Sequence, residues 1–574
     1  MLRLRAQFSL FLPPESRFEV PFEEVSMTTS HPPCFTLASI LSMVAATFFA
    51  IVFSTLVSAQ GTTANQSSSI TVENIGAQVS PLFLPSVLYK TGGSEAGFVT
   101  VADVNRDGFP DLLVANTYYS DTVGVLQGKG DGTFWGAVKY ASGGGYPSSI
   151  VAIDLNNDGK LDLVVLNQGR CYACAGDGLV AVLLGKGKGK FLPAVTYDSG
   201  GQGGIGPAPG GLAVADVNGD GKLDVVVMNC ASRNSTGCGD GNGVVGVLLG
   251  NGDGTLKPVV TYDSGSAPGG GSLAVADVNG DKKPDILVTS GCTNDNCPQA
   301  QIGVLLNNGD GTFKKSVNYA ASGWNAAQIA VADLNGDGKP DVVVGGCGTI
   351  NCFDGDGVVT VLLGKGDGTF QAPVGFDSGG ERVDGVAIAD IDGDGKLDVV
   401  VGNTISNSVG VLLGNGDGSL RLPVVFPSGT NTDTYSVAIS DVDGDGKPDV
   451  MVSNCGGTQY ACGGNIQGTI GVLLSYGTLS KTTLTTSGSP SQLGQMVTFT
   501  AKVSSSAGAI PDGDVVAFYD GKNAKLASVP LLSGVATFST SSLTAGSHNI
   551  EALYLGDPGF KRSSAVVKQV VQKP

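Results

Sequence analysis

Seven stretches of the chain place oxygen-bearing side chains at positions 1, 3, 5 and 9 of one nine-residue phrase, D-x-[ND]-x-D-x-x-x-D. They are Asp103, Asn105, Asp107 and Asp111; Asp154, Asn156, Asp158 and Asp162; and Asp216, Asn218, Asp220 and Asp224. Then come Asp277, Asn279, Asp281 and Asp285; and Asp333, Asn335, Asp337 and Asp341. The last two are Asp390, Asp392, Asp394 and Asp398; and Asp441, Asp443, Asp445 and Asp449. Short side chains at alternate positions can converge on one point, and the carbonyl of position 7 (Lys396 in the sixth copy) adds another oxygen. Such a set suits Ca2+, which takes six to eight hard oxygens, better than Mg2+, which keeps several waters. The expectation is up to seven Ca2+ ions. Position 6 is glycine in six copies, which permits a positive φ; Lys282 stands there in the fourth, the weakest of the seven. Asp, Asn and Gly also build plain turns, but a turn alone does not demand Asp at position 9 seven times.

Other chemistries are excluded by what is missing. The chain has two histidines, His31 and His548, and neither lies among the seven phrases. Ser–His–Asp catalysis, Cys–His catalysis and His-ligated zinc are therefore excluded there. The net charge is −18, nearly half of the 51 acidic residues sit in the phrases, and a nucleic-acid partner would need a basic surface instead. Ten of the 11 cysteines fall in close pairs: Cys171/Cys174, Cys230/Cys238, Cys292/Cys297, Cys347/Cys352 and Cys455/Cys462. Zinc knuckles, or a redox CxxC at Cys171/Cys174, are alternatives to disulfides. Behind an export signal, an even count in local pairs reads as disulfides.

The phrases recur at intervals of 51 to 62 residues, and each sits in a longer repeat. An alternating strand such as LAVAD (212–216) precedes it, and a continuous β-branched run such as DVVV (224–227) follows. After a variable segment come a strand of the VGVLLG type, a GNGDGT-type hairpin and a strand of the FxxPVxY type. Four short strands per repeat, seven times over, predict an all-β, seven-bladed β-propeller. The 88 glycines, with no three-residue period, agree with a turn-rich β protein and exclude collagen. FxxPVxY strands occur at 83–89, 134–140, 191–197, 256–262, 313–319, 370–376 and 420–426, so the first precedes the first phrase and none follows the last. Residues 83–89 should therefore complete the seventh blade and close the ring, removing exposed sheet edges.

The acidic phrase is similar to the first part of an EF-hand loop, set here between strands. VADLNGDGKPDVVV at 331–344 and LLGKGDGTF at 362–370 make the repeats resemble FG-GAP (VCBS-type) repeats of the integrin α-subunit propeller over about residues 80–478. That resemblance implies calcium hairpins on a lower face and ligand contacts on an upper face, built from second-to-third-strand and blade-to-blade loops. All five cysteine pairs lie in second-to-third-strand segments, each pinning an insertion against proteolysis or pre-organising it for binding. Blades one and six have shorter segments there, 117–122 and 404–408. Phe98, Tyr146, Trp324 and Tyr435 in the blade-to-blade loops are candidate ligand contacts or channel-mouth packing; Trp135, on an outer strand, reads as structural. Arg170, Arg233 and Arg382 fall near the same face, with no motif pairing them to a base.

Residues 35–59 are apolar and end in Val57-Ser58-Ala59, so 1–59 is expected to be a cleaved signal peptide and 60–80 a flexible leader. An uncleaved membrane anchor is the alternative, since the stretch is long enough to span. Residues 81–479 form the propeller. From 480 to 574 the alternating segments resemble a bacterial Ig-like β-sandwich of about seven strands, with His548 a surface strand residue. The expected protein is secreted or surface-exposed, monomeric, without membrane insertion after cleavage, and not an enzyme. It binds a glycan or protein through its upper face. A lyase-like polysaccharide-active enzyme on the same scaffold is the alternative, and a purely structural envelope role is a third.

Overall fold

The structure is a computed structural model that describes residues 82–573, apart from 118–119, 170–176, 203–210, 233–242, 266–270, 290–299, 350–354, 430–432, 456–466, 476–479, 506–508, 522–523, 557–559 and 561–562. The expected signal peptide and leader lie outside the described residues. So do Arg170, Arg233, Cys171, Cys174, Cys238, Cys292, Cys297, Cys352 and Cys462.

Each repeat folds into an antiparallel sheet whose own strands lie in chain order, with the second sheet also taking up Ala231–Ser232 from the third repeat and the seventh completed from the other end of the array. In the first repeat these are Ala96–Ala102, Asp111–Asn116, Thr122–Leu126 and Val138–Ala141. Seven such sheets occur among the described residues. The third-repeat strand Leu212–Ala215 is buried at Leu212 and half-buried at the next three residues, so the alternation of its sequence is not matched by alternating burial. Second strands are buried at every residue, as in Asp224–Asn229 and Asp398–Asn403, because neighbouring sheets cover both faces. Each fully buried Val or Leu there contributes about 1.5–3 kcal/mol.

The inner strands contact one another in sequence from the first repeat to the seventh and back to the first. The seventh sheet is Thr434–Ser440, Asp449–Asn454 and Gln467–Leu473, and its fourth strand is Val87–Ser94 from the other end of the array. Val87 pairs with Val472 and Lys90 with Thr469, while Phe83 bridges Ser475. One hydrophobic cluster crosses this seam, joining Val99, Leu112 and Phe134 to Met451, Ile470 and Val472. The ring is therefore closed by the predicted outer strand.

Aromatic contacts repeat between neighbouring sheets. The motif tyrosine meets the next repeat's phenylalanine edge to face: Tyr89–Phe134 (5.2 Å), Tyr140–Phe191 (5.2 Å), Tyr262–Phe313 (5.4 Å) and Tyr319–Phe370 (5.3 Å). Phe426–Phe83 at 5.3 Å makes the same contact into the closing strand.

The C-terminal segment forms the two sheets of the expected sandwich, with eight strands among the described residues where about seven were expected. Three strands (Ser480–Thr486, Val497–Ser505, Val535–Thr540) make one sheet; Ser491–Gln492, Val515–Asp520, Ala524–Pro530, Gly546–Tyr554 and Ser563–Gln572 make the other. Phe499, Phe518, Ile550 and Tyr554 fill the core between them. The short Ser491–Gln492 strand, paired in parallel with the last one, is the element that sequence alternation did not reveal. His548 stands in a strand as expected, but its side chain is largely covered. Nδ1 lies 2.6 Å from Asp520 Oδ2 and Nε2 lies 2.8 Å from the Thr544 carbonyl.

Candidate metal centres and the opposite face

All seven acidic phrases connect an inner strand to its second strand, and they close by one hydrogen-bond scheme. The position 1 carboxylate accepts from the backbone N–H of position 6: Gly108 to Asp103 at 2.9 Å, Gly395 to Asp390 at 2.9 Å and Gly446 to Asp441 at 2.9 Å. The position 3 oxygen accepts from the N–H of position 5, as from Asp220 to Asn218 at 2.8 Å. Position 6 takes positive φ, including Lys282 at 66°, whose N–H reaches Asp277 at 2.8 Å as the glycines do in their own loops. The fourth loop thus keeps the shared shape. Position 4 is left-handed too, with Arg106 at 60° and Asn157 at 59° where the other copies have glycine.

Position 9 has a part that the spacing did not disclose. Its carboxylate is buried and ties two hairpins together. Asp341 accepts from Leu334 N–H at 3.0 Å and from Gly364 N–H at 2.7 Å; Asp449 accepts from Val442 at 2.9 Å and Ser475 at 2.7 Å. The partner is the residue ending each VLLG strand, and a Cβ at Gly364 would lie 2.1 Å from the Pro340 carbonyl. That recurrent glycine was the available signal. Burial pushes Asp111 and Asp285 up to about 6 and Asp449 up to about 7; the two N–H bonds offset this only in part, and neighbouring carboxylates add to it.

Carboxylate oxygens of Asp390, Asp392 and Asp398 come within 4.8 Å of one another, and so do those of Asp441, Asp443 and Asp449. In the other five loops an Asn amide oxygen holds position 3, within the same hydrogen-bond scheme. The donor set contains only carboxylate, amide and carbonyl oxygen, with no thiolate or imidazole, and so fits a hard dication. Asp394 stands outside its group of three. It pairs instead with Lys396 at 3.1 Å, as Asp158 does with Lys160 at 2.8 Å and Asp337 with Lys339 at 3.4 Å.

Antiparallel pairing puts the second-to-third-strand and sheet-to-sheet connections at the end opposite these loops. Cys230, Cys347 and Cys455 lie there, and each is disulfide-bonded. Tyr435 follows the packing alternative rather than the ligand-contact one: it belongs to the inner strand Thr434–Ser440, not to a loop, and is 2% exposed. Phe98 is half-buried in the inner strand Ala96–Ala102 and packs between repeats one and two. Tyr146 and Trp324 are half-buried, and Trp324 pairs its backbone with Cys347. Trp135, expected to be structural, is instead 61% exposed.

Around Tyr435 the structure gathers charges from the starts of three consecutive inner strands. Arg382 pairs with the buried Asp384, Nε to Oδ2 at 3.1 Å. The Tyr435 hydroxyl lies 3.5 Å from Asp433, and its pKa is raised by burial and by the fields of Asp433, Glu95 and Asp384. Glu95, at φ 45° and 4% exposed, leaves Oε1 without a hydrogen-bond partner, and burial together with Asp433 pushes it up to about 7. Arg382 was visible in the sequence; its neighbours come together only through ring closure.

The FG-GAP-like repeat matches residues 93–165, 172–227, 235–288, 293–344, 349–401 and 390–452, more than half of the chain, and the FG-GAP repeat matches 434–473. The bacterial Ig-like domain (group 3) matches 484–572. Integrin alpha pat-2 of Caenorhabditis briggsae is 33% identical over 162 residues, covering 23% of this chain and 13% of that protein. Its Caenorhabditis elegans counterpart is 31% identical over 168 residues with the same coverage. The chain thus spans about an eighth of the length of these relatives. The V. cholerae biofilm matrix protein Bap1 aligns with a TM-score of 0.35 and 13% identity, over 69% of this chain and 88% of its own.

Proposed function

The chain belongs to the FG-GAP-like repeat family and carries a bacterial Ig-like domain, and from that premise we propose that it is a calcium-stabilised recognition protein of the extracellular space. Its insertion-bearing face engages a protein or glycan ligand, and it performs no catalysis. The observation that carries this reading is the division of labour between the two ends of the ring. One end has seven short, near-identical acidic loops; the other has long connections of unequal length. Uniform loops suit a shared structural ion, and unequal ones suit a selective contact surface.

Asp and Asn at positions 1, 3 and 9, with the position 7 carbonyl, would hold Ca2+ in each loop. The ion would supply a positive charge among carboxylates that otherwise repel one another. Asp394 and its equivalents would join by releasing their lysine partners. We assign residues 81–479 to the propeller and 480–574 to the Ig-like module as a spacer. The remaining cysteines are read as disulfide pairs within each insertion, consistent with an oxidising compartment. Among the described residues no helix is long and apolar enough to cross a membrane.

The test is a binding array of matrix proteins and glycans probed with the purified chain, with and without EGTA. Saturable binding to one ligand class, lost when the second-to-third-strand insertions are replaced by the short 404–407 connection, is expected. Binding that survives those replacements overturns the assignment of the face.

A further inference from the structure

We propose that the outer wall of the ring carries a cleft for an acidic saccharide, at the seam where the closing strand meets the first repeat, with Trp135 as its stacking platform. Its stacking platform lies on the outer wall, while Ser94, Ser120, Thr122 and Gln467 carry its far end up to the insertion-bearing face. Two cavities adjoin there. One of about 220 Å3 is lined by Tyr89, Lys90 and Trp135 among others, and one of about 430 Å3 by Ser94, Ser120, Thr122 and Lys139. Both include Gly92 and Gln467, so the two share a wall and lie side by side along the seam.

Packing does not account for Trp135. The aromatic contact between repeats is already made by Phe134, which is buried against Tyr89. At the place of Trp135 the other repeats carry Leu84, Leu192, Lys257, Lys314, Gln371 and Arg421, mostly long polar side chains. Gly136 is equally unexplained by the fold. Its φ is not left-handed, a Cβ there would meet nothing within 4 Å, and the equivalent positions include Pro85, Pro193 and Pro258. Its missing side chain leaves the approach to the indole open.

The surrounding groups define the ligand. Lys129 Nζ lies 4.6 Å from the Trp135 ring centre, and Lys90 and Lys139 line the cleft. The Lys139 stem rests on Gly92, where a Cβ would come within 3.0 Å of its Cγ. One ammonium group over an exposed indole, with Asp131 as its nearby acidic neighbour, and two further lysines along the cleft, on a chain of net charge −18, are complementary to an anion. A flat apolar platform beside hydroxyl and amide groups suits a pyranose ring and its hydroxyls. A uronic-acid saccharide combines both features.

The experiment uses the full chain carrying Trp324→Phe, which leaves Trp135 as the sole tryptophan of the two present. Tetragalacturonate is titrated as the acidic probe and cellotetraose as the neutral one, with calorimetry and indole emission as readouts. Saturable binding of tetragalacturonate with a change in Trp135 emission is expected, at least tenfold tighter than cellotetraose. Trp135→Lys, which copies repeats three and four and should melt as the parent does, is expected to weaken binding at least tenfold. The double variant Lys90→Ala/Lys139→Ala is expected to weaken it at least fivefold. No saturable binding of tetragalacturonate, equal affinity for the two probes, or parental affinity in Trp135→Lys overturns the proposal.

Discussion

At the scale of single residues, the buried carboxylates have opposite effects. Asp341 satisfies two backbone N–H groups, so Asp341→Ala leaves two buried donors unpaired, each costing about 1–3 kcal/mol. We expect urea denaturation to show a loss of roughly 2–5 kcal/mol even in EGTA, where no metal contribution remains. Glu95 satisfies nothing with Oε1 and is held neutral up to about 7. Its folded pKa lies above the unfolded value, so it weighs against folding as pH rises from about 4.5 through 7. Glu95→Gln should therefore match the parent at pH 4 and exceed it at pH 8, by on the order of 2 kcal/mol. His548 is the converse case. Burial lowers its pKa, but the Thr544 carbonyl and Asp520 more than offset this, so the imidazolium is favoured in the folded state. That contribution is full below the unfolded value of about 6.5 and is lost as pH rises through the folded one. The transition of the C-terminal module should move down between pH 6 and 8 by differential scanning calorimetry, and His548→Gln should abolish the movement. The acidic register was legible because it is local: nine residues contain the whole loop. The burial of Tyr435 and the exposure of Trp135 were not, since each depends on which neighbouring strand covers the position.

At the scale of elements, the loop is defined by backbone sign as much as by side chains. Positions 4 and 6 both need left-handed φ, and Lys282 meets that need with a side chain that disfavours it. Lys282→Gly should raise stability by about 1 kcal/mol, read from chemical denaturation, with the other six loops unchanged. The strand cadence was readable from alternation and from the Gly-rich hairpins. The additional strand Ser491–Gln492 was not, because a two-residue parallel pairing leaves no periodic trace. The residues of the four tyrosine-on-phenylalanine contacts were visible in their FxxPVxY copies, yet the partners belong to different copies and meet only once sheets are placed side by side.

At the scale of the whole molecule, metal and closure act on the same ring. A site held at a hundredfold excess of Ca2+ over its dissociation constant contributes about 2.7 kcal/mol. EGTA should accordingly lower the melting temperature of the propeller, and an unchanged melting curve would remove calcium from the account. Closure was legible from the displaced FxxPVxY copy alone, since an open array has no use for a strand before its first repeat. The seam also imposes a timetable. Thr91 donates to the Gly468 carbonyl across 377 residues, so a nascent chain emits one half of its clasp long before the other exists. Until the strand Gln467–Leu473 has been made, the early ribbon must wait unmated, a sticky edge in search of any partner. A holdase chaperone meeting the partly made chain would be expected to seize the strand Val87–Ser94 first.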